Sequence, residues 1–210
     1  MKKQQIIILM PCFNEIKNLP KIIKRLKNYN LLVVNDFSND GTKTFLKKNK
    51  INHLNAKKQE GQINALIIGF KFILKNYKKC KYIITFDADG DHKVSDIKKF
   101  INKIKLKPDI VLGIRNRKNR LMEIIISFLF HIKFNIKDPM SGFKMIGTNI
   151  IKKNLKYLNN KYFLIDFLIN VRMQAHILNV NISSPKSRDN SRHQSFLINL
   201  KIFKTLIRYF

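Results

Sequence analysis

The stretch FDADGDH, residues 86–92, places Asp87, Asp89 and Asp91 at alternate positions directly after an apolar run. The chain carries 13 Asp and Glu against 42 Lys and Arg, so three carboxylates in one turn mark a place that needs negative charge. Counted from Asp87, a calcium loop of the EF-hand kind needs Gly at its sixth position and Glu at its twelfth; His92 and Lys98 stand there instead. Two carboxylates one residue apart at a strand end can diverge, one toward a ribose and one toward Mg²⁺ or Mn²⁺, hard octahedral ions that take oxygen ligands. Such an ion neutralises diphosphate oxygens and eases the departure of a nucleotide. Asp87, Asp89 and Asp91 are therefore candidate metal ligands. A plain acidic turn around Gly90 is the competing reading, because Asp and Gly are common in turns. Two further stretches weaken it. VVNDFSNDGT, residues 33–42, sets Asp36 and Asp40 after another apolar run, and MPCFNE, residues 10–15, sets Glu15 after a third. Carboxylates accept hydrogen bonds from ribose hydroxyls and from the N–H groups of a base, so the three stretches together suit a nucleoside pocket.

Such residues act together only if the fold gathers their loops. Apolar runs at 6–10, 31–34, 82–86 and 109–113 have strand length and alternate with segments of helical period. Asn18 is expected to cap a helix that has Pro20 in its first turn and Ile22, Ile23 and Leu26 on one face. Ile63, Leu66, Ile67, Phe70 and Leu74 mark a second helix, and Ser95 is expected to cap a third that faces inward through Ile97, Ile101 and Ile104. Continuous apolar strands alternating with helices predict an α/β fold with a mostly parallel central sheet flanked by helices. Ligands of such sheets bind beyond the carboxyl ends of the strands, where all three acidic stretches lie. After residue 115 the pattern loosens into basic residues (Arg115, Arg117, Lys118, Arg120), an amphipathic stretch at 121–136, the loop KDPMSGFK and a helix expected near 161–178. The polar basic segment SSPKSRDNSRHQS and a last apolar-basic run, residues 196–210, close the chain. With no repeat and no linker, one domain over 1–210 is expected, with functional halves at about 1–115 and 116–210.

The 210 residues are 45% hydrophobic with 16 Phe, enough for a sizeable core and too apolar for disorder. A formal net charge of +29 points to an anionic partner: nucleic acid, an acidic membrane surface or a phosphorylated substrate. Compositional drift competes, since the lysines are scattered among many Ile and Asn. No helix-turn-helix, RNA-binding sheet signature or zinc motif supports nucleic acid. Cys12 and Cys80 have no metal-binding or disulfide spacing, so a reduced cytoplasmic setting is expected. The opening MKKQQIIILMP has too short an apolar run for a signal peptide and reads as a first strand. The most apolar later stretch, 121–134, is interrupted by Glu123, His131 and Lys133 and falls short of the roughly 20 apolar residues a bilayer requires. No transmembrane helix is expected. Instead, 121–136 and 196–210, with Lys and Arg among Leu, Ile and Phe, suit a membrane interface, which makes the chain a candidate peripheral protein on the inner face of the membrane.

In order, PCFNEIKNLPKII, VVNDFSNDGT, FDADGDH, DIVLGIRNR and DPMSGFK resemble glycosyltransferase family 2, nearest to the dolichyl- or polyprenyl-phosphate mannosyl- and glucosyltransferase-like enzymes, over roughly residues 5–192. The resemblance implies a GT-A, Rossmann-like fold, a nucleotide-diphosphate sugar donor, a divalent Mg²⁺ or Mn²⁺ cofactor and inversion at the sugar carbon. It implies that Pro11, Phe13 and Glu15 cup the nucleotide and that Asp36 reads the base. It assigns ribose, diphosphate and metal to Asp87 and Asp89, and the acceptor or leaving phosphate to Arg115. Asp138, Ser141 and Gly142 match the loop beside the sugar, and Arg188, Ser191 and Arg192 a late basic segment over the phosphates. The chain departs from the family at Asn35, where the first of two aspartates is usual, and at Asp91, where lipid-phosphate enzymes often have Gln. Gln62 and Asn64 stand where small residues are common, and RDNSR lacks the usual glycine.

The acceptor stays open between a polyprenyl or dolichyl phosphate and a growing cell-envelope glycan. A sugar hydroxyl must lose a proton as it attacks, which would make Asp138 or Asp166 a general base; a lipid phosphate is already anionic and needs none. Arg115, Arg117 and Arg120 can clamp phosphates bidentately or simply form a solvated basic loop. His92, His131, His176 and His193 have no partner spacing and read as structural. A phosphotransferase of the haloacid-dehalogenase kind is disfavoured, because Asp91 holds the place of its usual Thr or Val. The remaining alternative is an inactive relative or a basic binding module for nucleic acid or a membrane surface.

Overall fold

Continuous apolar runs, buried on both faces, make the central strands. The computed structural model describes residues 5–118, 121–158, 165–183, 207 and 209. Strands β1 (Ile6–Cys12), β2 (Asn30–Asn35), β3 (His53–Asn55), β4 (Tyr82–Thr85), β5 (Ile110–Arg115), β6 (Lys144–Gly147) and β7 (Ile177–Ile182) form one sheet in the order β3-β2-β1-β4-β6-β5-β7. Neighbours run parallel except at β6, which is antiparallel to both β4 and β5. The mostly parallel α/β fold expected from the sequence is thus present, with β6 wedged between its two halves.

Helices α1 (Leu19–Leu26), α2 (Thr42–Lys48), α3 (Gln62–Asn76), α4 (Ile97–Lys103), α5 (Leu121–Phe134), α6 (Thr148–Lys153) and α7 (Ile165–Val171) accompany the strands. Alternate residues of β1 face opposite layers, as the strand period dictates. Ile7 and Leu9 join Leu32, Val34, Leu66, Phe70 and Phe167 beneath α3, α6 and α7. Ile8 and Met10 join Val33, Ile84, Leu19, Ile22 and Phe100 beneath α1, α2 and α4. Gly69 lets α3 lie close on β1: a Cβ there would stand 2.2 Å from Leu9 Cδ1.

Two local expectations fail. Asn18 does sit at the N-cap of α1 with Pro20 in the first turn, though its side chain makes no cap bond and donates to Glu15 Oε2 at 2.7 Å; Ser95, by contrast, is not the cap of α4, whose N-cap is Asp96. The helix expected near 161–178 ends at Val171, and residues 177–182 form edge strand β7 against β5. There Val180 and Ile182 are buried while Asn179 and Asn181 face out, a period of two that a helical reading overlooks. Among the described residues no helix is long and apolar enough to cross a membrane.

Candidate active site

Because β1 lies between β2 and β4 and runs parallel to both, the three acidic stretches leave the sheet side by side. They enclose a cleft of about 150 Å³ lined by Pro11, Cys12, Phe13, Glu15, Asp36, Gln62, Asp87, Ala88 and Asp89. Six residues picked from sequence, Pro11, Phe13, Glu15, Asp36, Asp87 and Asp89, therefore share one cavity. Burial, with the charges of Glu15 and Asp40, pushes the Cys12 thiol up to about 12 and so disfavours its thiolate.

The loops are tied to one another before any ligand arrives. Asn14 N–H donates to Ser38 Oγ at 2.9 Å, Ile16 N–H to Asp40 Oδ2 at 3.0 Å and Glu15 N–H to Thr42 Oγ1 at 3.2 Å. Asp36 is buried, and its carboxylate accepts the backbone N–H groups of Glu60 (3.0 Å) and Gly61 (2.8 Å). Gly61 has φ +90°, which glycine adopts without a Cβ penalty. Asp36 thereby fixes the start of α3 and aims Gln62 at the cleft.

Gln62 Nε2 donates to Asp87 Oδ1 at 2.6 Å, while His92 Nε2 lies 2.9 Å from Asp87 Oδ2. Burial opposes ionisation of Asp87, but the hydrogen bond and charge of His92, with Lys144 and Gln62, hold its carboxyl below the usual carboxylate range. Burial likewise opposes a charged His92, and Asp87, helped by Asp89 and Asp91, raises its pKa nonetheless. The His92 ring packs on Phe86 and Phe143, centroids 5.7 and 4.8 Å away. Unlike the unpartnered histidine read from sequence, it is thus packed against two aromatic rings and paired with Asp87, whose carboxylate it orients. Gly90, at φ +83°, lets the turn close, and Asp91 N–H donates to Asp89 Oδ1 at 3.0 Å. Among the described residues no three His, Cys, Asp or Glu side chains stand close enough to hold a metal ion unaided. Asp87, Asp89 and Asp91 do not form a closed cage, so an ion here needs oxygens from its ligand.

The loop 138–142 meets the same site from the antiparallel strand. A Cβ on Gly142 would lie 2.5 Å from Asp87 Oδ2, so only glycine lets this loop touch the carboxylate. A smaller cavity of about 70 Å³, lined by Gln62, Ile63, Leu66, Asp87, Met140, Ser141, Gly142 and Lys144, adjoins the first through Gln62 and Asp87. Lys144 is buried, and its ammonium donates to the carbonyl oxygens of Pro139 and Ser141. Burial pushes its pKa down to about 8, against the pull of Asp138 and Asp87.

Arg115 and Asp138 are joined to each other. The fully buried Asp138 carboxylate accepts Arg115 N–H at 3.1 Å, Nε at 2.9 Å and Nη2 at 3.0 Å. Arg115 Nη1 donates to Glu123 Oε2 at 3.1 Å. In this arrangement the guanidinium and the carboxylate neutralise one another, and neither lines the cleft. Asp166, on α7, accepts the Tyr209 hydroxyl and lies outside the cleft too. Arg120, Arg188, Ser191, Arg192 and nearly all of 196–210 fall outside the described residues. Sequence reasoning missed the parts played by Gln62 and Lys144. The signal for Gln62 was a polar residue opening a helix right after a glycine; for Lys144, alone in an otherwise apolar strand, there was none.

Comparison with known proteins agrees with this architecture. An uncharacterised protein of Methanocaldococcus jannaschii is 35% identical over 168 residues, 70% of this chain and 73% of that one. The UDP-N-acetylglucosamine–dolichyl-phosphate N-acetylglucosaminyltransferase of Methanococcus voltae is 30% identical over 197 residues, 78% of this chain and 77% of its own. Glucosyl-3-phosphoglycerate synthase from Mycobacterium tuberculosis, solved with Mn²⁺ and uridine-diphosphate-glucose, superposes with a TM-score of 0.73 at 15% identity, covering 97% of this chain and 78% of that one; it shares the GT-A fold. The model of glycosyl transferase family 2 matches residues 7–162, most of the sheet and the whole cleft, and the chain belongs to that family.

Proposed function

We propose that this glycosyltransferase moves a sugar from a nucleoside-diphosphate sugar to a polyprenyl or dolichyl-type lipid phosphate, with inversion, at the inner face of a membrane. The observation that carries the donor half is the convergence of Asp36, Asp87 and Asp89 with Pro11, Phe13 and Glu15 in one cleft. A divalent ion fits the oxygen donors present: Asp89 would hold it, Asp91 behind it, with pyrophosphate oxygens filling the shell left open by the missing cage. Mg²⁺ or Mn²⁺ so held supplies neutralisation of the diphosphate as it leaves. Asp87, fixed by Gln62 and His92, accepts a hydrogen bond from a ribose hydroxyl. Arg188 and Arg192 are assigned to the phosphates, and the whole chain is read as one domain, its first half binding donor and its second acceptor.

The acceptor assignment draws on two features. Asp138 is saturated by Arg115, which suits an acceptor that needs no general base. A phosphate oxygen of the lipid attacks the anomeric carbon as the bond from that carbon to the diphosphate breaks, and the nucleoside diphosphate departs with the electron pair. Helix α5 also turns Leu121, Ile124, Phe128 and Ile132 outward, 72, 50, 63 and 68% exposed. This apolar stripe on a chain of net charge +29 suits a bilayer bearing anionic headgroups, where such an acceptor resides. The test is product identification after incubation with labelled UDP- and GDP-sugars, Mn²⁺ and polyprenyl phosphate. A glycosylated lipid phosphate, absent with EDTA and with Asp89→Asn, is expected. Transfer only to glycans, or none with any donor, would refute the reading.

A further inference from the structure

On a chain with 42 Lys and Arg, Lys144 is the only one of them buried among the described residues. It opens β6 in the middle of the sheet, paired with Thr85 on one side and Leu112 on the other. A buried ammonium usually meets a carboxylate. Among the described residues none stands within 4.0 Å of this one. Its hydrogen-bond partners are neutral, the carbonyl oxygens of Pro139, at 3.4 Å, and Ser141. The depressed pKa of about 8 reports the same burden, a charge that the fold holds against desolvation. Methionine would fill the place without it, and an apolar side chain of like volume is often neutral or stabilising where a buried ion stood. Residues that break a local rule in this way belong to functional sites.

The geometry shows what the ammonium does. Pro139 and Ser141 are two residues apart, so one cation curls the loop 139–142 around itself. Thr85 fastens the end of the curl: its hydroxyl donates to the Gly142 carbonyl at 2.5 Å and accepts Lys144 N–H at 3.1 Å. The curl sets Gly142 against Asp87, and Met140, Ser141 and Lys144 line the smaller cavity that adjoins the nucleotide cleft. The charge of Lys144 also acts on the carboxylates of both flanks, Asp87 on one and the Arg115-bound Asp138 on the other. Asp87 has holders of its own in Gln62 and His92. Loss of the ammonium should therefore loosen the loop and leave Asp87 largely in place.

We propose that Lys144 is a positioning residue of the transfer reaction: by gathering the Pro139 and Ser141 carbonyls, its ammonium holds loop 139–142 where the adjoining cavity is shaped for the sugar to be passed on. The proposal rests on the transferase reading above. It is tested on wild type, Lys144→Met and Lys144→Ala at pH 7, well below their melting temperatures, with labelled UDP- and GDP-sugars, polyprenyl phosphate and Mn²⁺. Calorimetry with UDP and GDP and hydrogen exchange of the peptide 138–143 accompany the assay. Lys144→Met should exchange faster across this peptide and lose kcat by roughly hundredfold, the scale of a small misplacement in an active site, while nucleotide affinity stays near wild type. In Lys144→Ala, added propylammonium should restore much of the lost kcat and 1-propanol, of the same shape but uncharged, should not; this arm also serves if Lys144→Met does not fold. Unchanged kcat or exchange in Lys144→Met, a loss of nucleotide affinity equal to the loss of kcat, or equal rescue by propanol would each overturn the proposal alone. Wild type that transfers sugar from no donor would overturn the transferase reading, and this one with it.

Discussion

Replacing Asp138 by Asn separates a structural carboxylate from a catalytic base. Asp138 is fully buried and takes three N–H groups of Arg115 at 2.9–3.1 Å. Asparagine is isosteric but uncharged, and its Nδ2 would face an N–H it cannot accept. Removing one partner of a buried ion pair costs about 3–5 kcal/mol, because the other charge is left uncompensated; Glu123, on the far side of the guanidinium at 3.1 Å, softens this toward the lower figure. At about 2–4 °C per kcal/mol for a domain of this size, the melting temperature should fall by roughly 6–15 °C. Activity toward a lipid phosphate, measured well below the new midpoint, should lose no more than the order of tenfold in kcat, since no proton has to be removed. The double change Arg115→Leu with Asp138→Leu should cost less than the sum of the two single ones, because no unpaired charge remains. A variant that melts like wild type yet has lost kcat by a thousandfold would refute the reasoning and make Asp138 the base.

Gly142→Ala pushes a methyl to within 2.5 Å of Asp87 Oδ2, so the carboxylate must leave His92 or Gln62; nucleotide affinity in calorimetry should fall by about 10- to 100-fold with little change in far-UV circular dichroism. Lys144 has a folded pKa of about 8, below the ordinary lysine value of 10.5. Between those values the unfolded chain binds the extra proton, so this lysine makes stability rise with pH by up to about 1.4 kcal/mol per unit, and Lys144→Met should abolish that part of the slope in urea titrations between pH 8 and 10. Phe128→Glu with Ile132→Glu changes only exposed positions, so thermal stability should stay within about 0.5 kcal/mol while binding to anionic vesicles in flotation assays drops severalfold; unaltered flotation would remove α5 from the interface.

The carboxylates announced themselves in sequence because they followed strand-length apolar runs, and a parallel α/β sheet has one end at which such loops collect. Type and place were therefore legible for Asp36, Asp87, Asp89, Glu15 and the strands that hold them. Their partners were not. Gln62 reaches Asp87 across 25 residues, Thr85 receives Lys144 across 59, and Arg115 finds Asp138 across 23. These separations follow no local period, so no pattern along the chain encodes them. Strand β7 was lost for a related reason: an edge strand with alternate Asn is held by its pairing with β5, which lies outside its own sequence. Local preferences and hydrophobic period chose the elements and the end of the sheet where chemistry could occur. Which carboxylates line the cleft and which are neutralised by an arginine was decided by packing, because an ion pair or a buried hydrogen bond exists only between groups that the folded chain has already brought within 3 Å or so.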